Sequence, residues 1–133
     1  MYKAFLQSPT PNVLTDKNAV IEFVNHSHCE LTGYKASELI GKHTNIFKSG
    51  KHSPEFYQQM WSSLAVNKIW QGELINRKKN GELYWEYATI SPIYDNEGNL
   101  VNYIKIAQDV TDQVEIKENW KQAKKEGRRS RYA

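Results

Sequence analysis

From Trp70 to Gln108 hydrophobic and polar residues alternate with a period near two, interrupted only at KKNG and DNEGN. Such alternation predicts half-buried strands, and the two interruptions carry the Asn/Asp-Gly chemistry of tight hairpins. Three antiparallel strands are therefore expected, at Trp70–Lys78, Glu82–Ile93 and Leu100–Gln108. Near the start, VLTDK and VIEFVN form two shorter apolar runs around the turn DKNA, which predicts a further hairpin. The pattern between the two sheet regions is helical. Asn25 can cap a helix in HSHCELTGY and Gly33 can end it; Ser37 and the following Glu-Leu-Ile suggest another turn, stopped at Gly41. HTNIFKSGKH reads as a loop. Ser53 with Pro54 opens the helix EFYQQMWSSLAV, where Phe56, Met60 and Leu64 recur at helical spacing beside Tyr57 and Trp61. The final TDQVEIKENWKQAKKE is charged, with Val114, Ile116 and Trp120 as sparse apolar positions, and reads as a helix leaving the body.

This order predicts an α+β domain: a five-stranded antiparallel sheet with helices on one face and a C-terminal exit helix. A pocket between sheet and helices is the natural ligand site. The expected organisation is an N-terminal cap over residues 1–11, containing Tyr2, Phe5 and Leu6, a domain over 12–112, and a helical linker with a basic tail over 113–133.

Charge and cysteine content narrow the class. The tail from Lys121 holds six Lys/Arg and one Glu; taking its +5 from the total of +3 leaves about −2 for the other 120 residues. A nucleic-acid partner is not expected from such a body. No apolar run is long enough to span a membrane, so no direct insertion is expected, and the start lacks the segments of a signal peptide. One cysteine, Cys29, precludes an internal disulfide. A cytoplasmic location is expected, possible also for a soluble part of a membrane-anchored parent.

Strand alternation sorts the side chains. Trp70, Gly72, Leu74 and Asn76 share one face of the first long strand, and this less charged set is placed toward the helices. On the next strand the inward set is Tyr84, Glu86, Ala88 and Ile90. Glu86 has three readings: paired with Lys105 of the last strand, in contact with a ligand, or solvated at an open rim, the last being favoured. Asn76 either meets a ligand or satisfies a neighbouring backbone group. The other face carries Leu83, Trp85 and Tyr87, which calls for a cover: the N-terminal stub, the exit helix or a second subunit. A homodimer through this face and the terminal helices is expected. His26, His28 and Cys29 have metal-ligand chemistry but not the spacing of a site, and are read as structural, with Cys29 buried and the histidines on the surface. No nucleophile triad, phosphate-binding Gly loop or carboxylate pair is present, which argues against an enzyme.

Three blocks carry a family resemblance: LTDKNAVIEFVN, CELTGYKASELIGK, and WQGELINRKKNGELYWEYATISPIYDNEGNLVNYIKIAQDVTD. In this order they resemble a PAS domain over roughly Asn12 to Asp112, and the WQGELINRKKNGELYW stretch is similar to the flavin-binding branch of aerotaxis and redox sensors. The resemblance implies a sensor fused to an effector such as a histidine kinase, a GGDEF-type diguanylate cyclase or a chemoreceptor. It implies a pocket that holds a small molecule or non-covalent cofactor, with FAD as the named possibility. The pocket residues it points to are Asn76, Trp61, Trp70, Leu74, Glu86, Ala88, Ile90 and Asn45. Light-sensing relatives of the LOV type carry a cysteine in the loop before the long helix, where GKHTNIF has none, and a Gln where Ala107 stands. Haem-binding relatives use a histidine on the long helix, and EFYQQMWSSLAV has none, so haem is not expected. DVTD, Asp109–Asp112, is the expected junction to the output. A ligand-free interaction module and a small flavoenzyme are the alternative functions.

Overall fold

A computed structural model describes residues 8–132, with side chains through residue 126. The strands are β1 (Asn12–Asp16), β2 (Ile21–Val24), β3 (Trp70–Arg77), β4 (Leu83–Tyr94) and β5 (Leu100–Asp109). The helices are α1 (His26–Thr32), α2 (Ala36–Leu39), α3 (Pro54–Ala65) and α4 (Thr111–Tyr132), with a 3-10 turn at Thr44–Phe47. All strands are antiparallel in the order β2-β1-β5-β4-β3, so the first hairpin docks on the last strand and the helical segment crosses from one edge to the other.

Local chemistry sets the boundaries. Asn25 Oδ1 accepts from the backbone N–H of His28 to start α1, and Gly33 ends it at φ 80°, a left-handed conformation that costs glycine nothing. Ser53 accepts from Phe56 N–H and Pro54 fills the first turn of α3. One detail differs from the sequence pattern. Thr44–Phe47 is not plain loop but a 3-10 turn that drives Phe47 into the core. The exit helix begins at Thr111, where the charged stretch starts. The proposed N-terminal contributors Tyr2, Phe5 and Leu6 lie outside the described residues.

The core divides into two clusters. Val13, Ile21, Val24, Leu39 and Phe47 pack under α1 and α2, while Met60, Leu64, Ile90 and Tyr103 pack under α3. His26 is on the surface as expected, but His28 and Cys29 depart from expectation. His28 and Thr32, one turn apart, face the sheet and are fully buried; Cys29 is half-buried and His26 is exposed, 2.7 Å from Glu30. Helical phase decides this, because only one of the two adjacent residues can point at the sheet.

Asn25 is also the knot that ties the chain start to the sheet. Its Oδ1 accepts from Asn12 N–H (2.9 Å) as well as from His28 (3.1 Å), and its Nδ2 donates to the carbonyls of Thr10 (2.8 Å) and Ser8 (3.3 Å). Asn25→Ala is expected to cost about 3 kcal/mol, combining a lost cap with stranded buried backbone groups. Urea denaturation checks this; a loss under about 1 kcal/mol, the scale of an ordinary exposed cap, contradicts the role.

Candidate functional site

Between the two core clusters lies a cavity of about 110 Å³. Its floor comes from the inner faces of β1, β3, β4 and β5, its roof from α3 and the segment His43–Lys48. Most of the wall is apolar: Met60, Leu74, Ile90 and the rings of Phe47, Trp61 and Tyr103. Trp61 and Tyr103 meet edge-on, with ring centroids 5.3 Å apart.

One corner is polar and tightly held. Glu86 is 0% exposed, and its Oε1 accepts from both Asn76 Nδ2 and Lys105 Nζ, each at 2.6 Å. The Lys105 side chain is 14% exposed. In the strand register Glu86 lies opposite Asp109 and Lys105 opposite Ile90, with Ala88 and Ala107 between them. The carboxylate and the ammonium therefore reach toward each other across a row of methyl groups. A buried carboxylate without partners would cost several kcal/mol, and the favoured sequence reading of a solvated Glu86 fails for that reason. Its burial under the helices leaves Lys105 and Asn76, not water, as its partners.

A loop closes the cavity from the β3 side. Ser49 Oγ donates to the carbonyl of Ile75 (2.6 Å), and His52 Nε2 accepts from Ile75 N–H (2.8 Å). His52 stacks on Phe56 at 4.0 Å, and burial lowers its pKa, which keeps the acceptor form. These bonds replace a strand partner for this part of edge strand β3 and fix Lys48, whose ammonium sits 4.3 Å over the Tyr57 ring. Beyond that point a broader surface groove shares Lys48, Tyr57 and Trp61 with the cavity.

Of the residues expected at the pocket, Asn76, Trp61, Leu74, Ile90 and Asn45 line the cavity. Glu86 stands behind the wall and holds two groups that do line it. Ala88 is buried in the sheet between Gly72 and Ala107. Trp70 is a correction: its indole folds over Gly72, where a Cβ would come within 2.8 Å of the ring, and meets Phe56 edge-on at 5.9 Å, outside the cavity. The glycine two positions away was the signal, since it leaves the indole room to lie along the strand. Lys48 and Tyr57 are wall residues that alternation did not single out, because they come from a loop and a helix, whereas Lys105, which parity offered as a partner for Glu86, lines the wall as well.

Among the described residues no group of three or more His, Cys, Asp or Glu could hold a metal. Among the described residues no helix is long and apolar enough to cross a membrane.

The sequence matches the PAS domain family over residues 9–112. The chain belongs to the PAS family. This PAS domain is 33% identical over 98 residues to the nitrogen fixation regulatory protein of Klebsiella oxytoca, covering 74% of this chain and 20% of the relative. It is 32% identical over 91 residues to the blue-light-activated histidine kinase of Brucella canis, covering 68% of this chain and 19% of that protein. The chain thus spans about a fifth of the length of the curated relatives it matches. Among solved structures it superposes on an RNA-binding light-oxygen-voltage receptor with a TM-score of 0.82 at 21% identity, covering 93% of this chain and 36% of that one. A PAS domain from Colwellia psychrerythraea gives 0.78 at 25% identity, covering 84% and 94%. The five-stranded PAS fold with its C-terminal helix is therefore shown, and the relatives are regulatory and sensory proteins.

His28 supplies a pH test of this interior. Burial first, and the nearby Lys105 ammonium second, lower its pKa from 6.5 to about 3. As pH falls from about 6.5 to about 3 the unfolded chain takes up a proton that the folded ring refuses. Stability is expected to drop by up to about 1.4 kcal/mol per pH unit across that window. Neither ring nitrogen has a partner among the described residues, so His28→Leu is expected to be no less stable at pH 7 and to lack this component. Wild-type and variant stability curves that run parallel from pH 7 to pH 4 would contradict it.

Proposed function

We propose that this PAS domain senses a small molecule held in the cavity and passes its state through β4 and β5 to the exit helix. The observation that carries the reading is the continuity between cavity corner and helix start. Trp85, the neighbour of Glu86, donates its N–H to Thr111 Oγ1 (3.0 Å), and its carbonyl accepts from Val110 N–H (2.9 Å). Asp109 Oδ1 accepts from the N–H (3.0 Å) and hydroxyl (2.6 Å) of Thr111, capping α4. A change in how Lys105 and Asn76 hold Glu86 acts on the strand that anchors the helix. A ligand shifts such an equilibrium only through contacts that differ between its two states, and the polar corner supplies them.

The domain has no catalytic role in this reading; a fused effector of the histidine kinase, diguanylate cyclase or chemoreceptor kind would supply the output, in the cytoplasm. A flavin such as FAD is the second reading. It is favoured by Asn76, an amide on an apolar wall, and by the light-oxygen-voltage domains among the structural neighbours. At about 110 Å³ the cavity is below the ~150 Å³ of an apolar cavity that holds benzene. A three-ring flavin therefore enters only if Tyr57 and Trp61 turn away and open the cavity to the neighbouring groove.

Output by dimerisation uses the other sheet face. Tyr87 is 42% and Ile106 46% exposed there, and Leu83 and Trp85 are half-buried; Ile116 and Trp120 of α4 are exposed as well. A second copy covering this face buries side chains that water now meets. Sedimentation of the chain is expected to show a dimer, and Tyr87→Glu with Ile106→Glu to weaken it at least about tenfold, since each places a charge in an apolar contact. A monomeric wild type, or a double variant that dimerises normally, rules this interface out.

A further inference from the structure

We propose that the cavity takes a small monocarboxylate, bound through the Lys105 ammonium, with a branched hydrocarbon body of about three or four carbons, smaller than a benzene ring. This rests on the reading of the domain as a small-molecule sensor and names the ligand's chemistry.

The size limit comes from the cavity, about 110 Å³, enclosed by Met60, Leu74 and Ile90 and by aromatic rings that bury a hydrocarbon well but offer it no polar partner. The charge comes from the wall. Lys48 and Lys105 both line the cavity and no lining residue is acidic. Glu86, behind the wall, balances Lys105, and the second lysine, the exposed Lys48, adds a positive charge at the side of the cavity that meets the surface groove. The hydrogen-bonding groups agree. An ammonium has three N–H donors, and Lys105 gives one to Glu86. The Tyr57 hydroxyl, from the α3 roof of the cavity, is buried and has no hydrogen-bond partner among the described residues. The Asn76 Nδ2 is committed to Glu86. The Lys105 ammonium and the Tyr57 hydroxyl suit a group that only accepts, which an ionised carboxylate does and an alcohol or amine does not.

Ala107 makes the arrangement possible. It lies with Ala88 between Lys105 and Glu86 in the register, so the lysine stem can lie along the sheet with its ammonium at the cavity. A longer side chain at this position would lie in its path. The bound carboxylate competes with Glu86 for the same ammonium. Ligand binding thereby weakens the tie between β4 and β5 one residue from Trp85, where the exit helix is anchored.

The test is calorimetric titration of the full chain with 3-methylbutanoate and, separately, with 3-methylbutan-1-ol, which has the same carbon skeleton without the charge. Wild type is expected to bind the acid at least about tenfold tighter than the alcohol, the scale of a desolvated charge-assisted hydrogen bond. The Glu86→Gln/Lys105→Met double variant removes both charges together, and circular dichroism establishes that it folds. It is expected to lose the preference for the acid while still binding the alcohol. Equal binding of acid and alcohol by wild type overturns the carboxylate and leaves the small-molecule sensor standing. Stoichiometric uptake of flavin mononucleotide, read from its visible absorbance, overturns the size argument and moves the sensor reading to flavin. Binding of none of the three overturns both and leaves a dimerising scaffold.

Discussion

A carboxylate with no access to water sits at the centre of this sheet, and much of the inner architecture follows from having to satisfy it. Glu86 belongs to β4, its ammonium partner to β5 and its amide partner to β3, so one oxygen gathers three strands. Such an ion pair adds little net stability over well-packed hydrocarbon, because desolvating both charges offsets their attraction. What it does impose is geometry: if the strands slip, the charges separate in a medium that cannot solvate them. The row of Ala88 and Ala107 follows from the same demand, since Lys105 needs a clear path.

That constraint also explains why a hollow exists at all. The inner face carries the tied polar corner and the small Ala88 and Ala107 beside Leu74, Ile90 and Tyr103, and α3 and the 3-10 turn bridge over them with large rings. The loop through Ser49 and His52 is pinned to the backbone of Ile75, which closes the roof where edge strand β3 would otherwise lie open. The other end of the same corner abuts Trp85 and the capped start of α4. Cavity, ion pair and helix start are therefore neighbours along β4, joined by the chain between Trp85 and Glu86, and the sensory role of the PAS family has a physical route here.

Much of this was legible in the chain. Period-two alternation placed Leu74, Asn76, Tyr84, Glu86, Ala88 and Ile90 on the inner face, and the caps Asn25, Gly33, Ser53 and Pro54 marked the helices within a residue or so. Parity also named Lys105 as the cation able to meet Glu86, yet it could not say how deep that pair lies, because depth depends on which helices cross the sheet. Trp70 shows the limit most clearly. Its parity is inward, but an indole beside a glycine can fold along the strand instead of rising into the pocket, and rotamer choice is not written in alternation. His28 and Phe47 were missed for a related reason: a short helix and a turn present different faces for a phase error of a single residue.

The central claim is that Glu86 and Lys105 depend on each other, and a double-mutant cycle on folding stability measures it. Each single change, Glu86→Gln or Lys105→Met, leaves a buried partner stranded and is expected to cost about 3–5 kcal/mol. The double change is expected to cost less than the sum of the two by about 2 kcal/mol or more. Strict additivity would mean that the two groups do not interact, and the account of sheet, cavity and exit helix built on their pairing would fall with it.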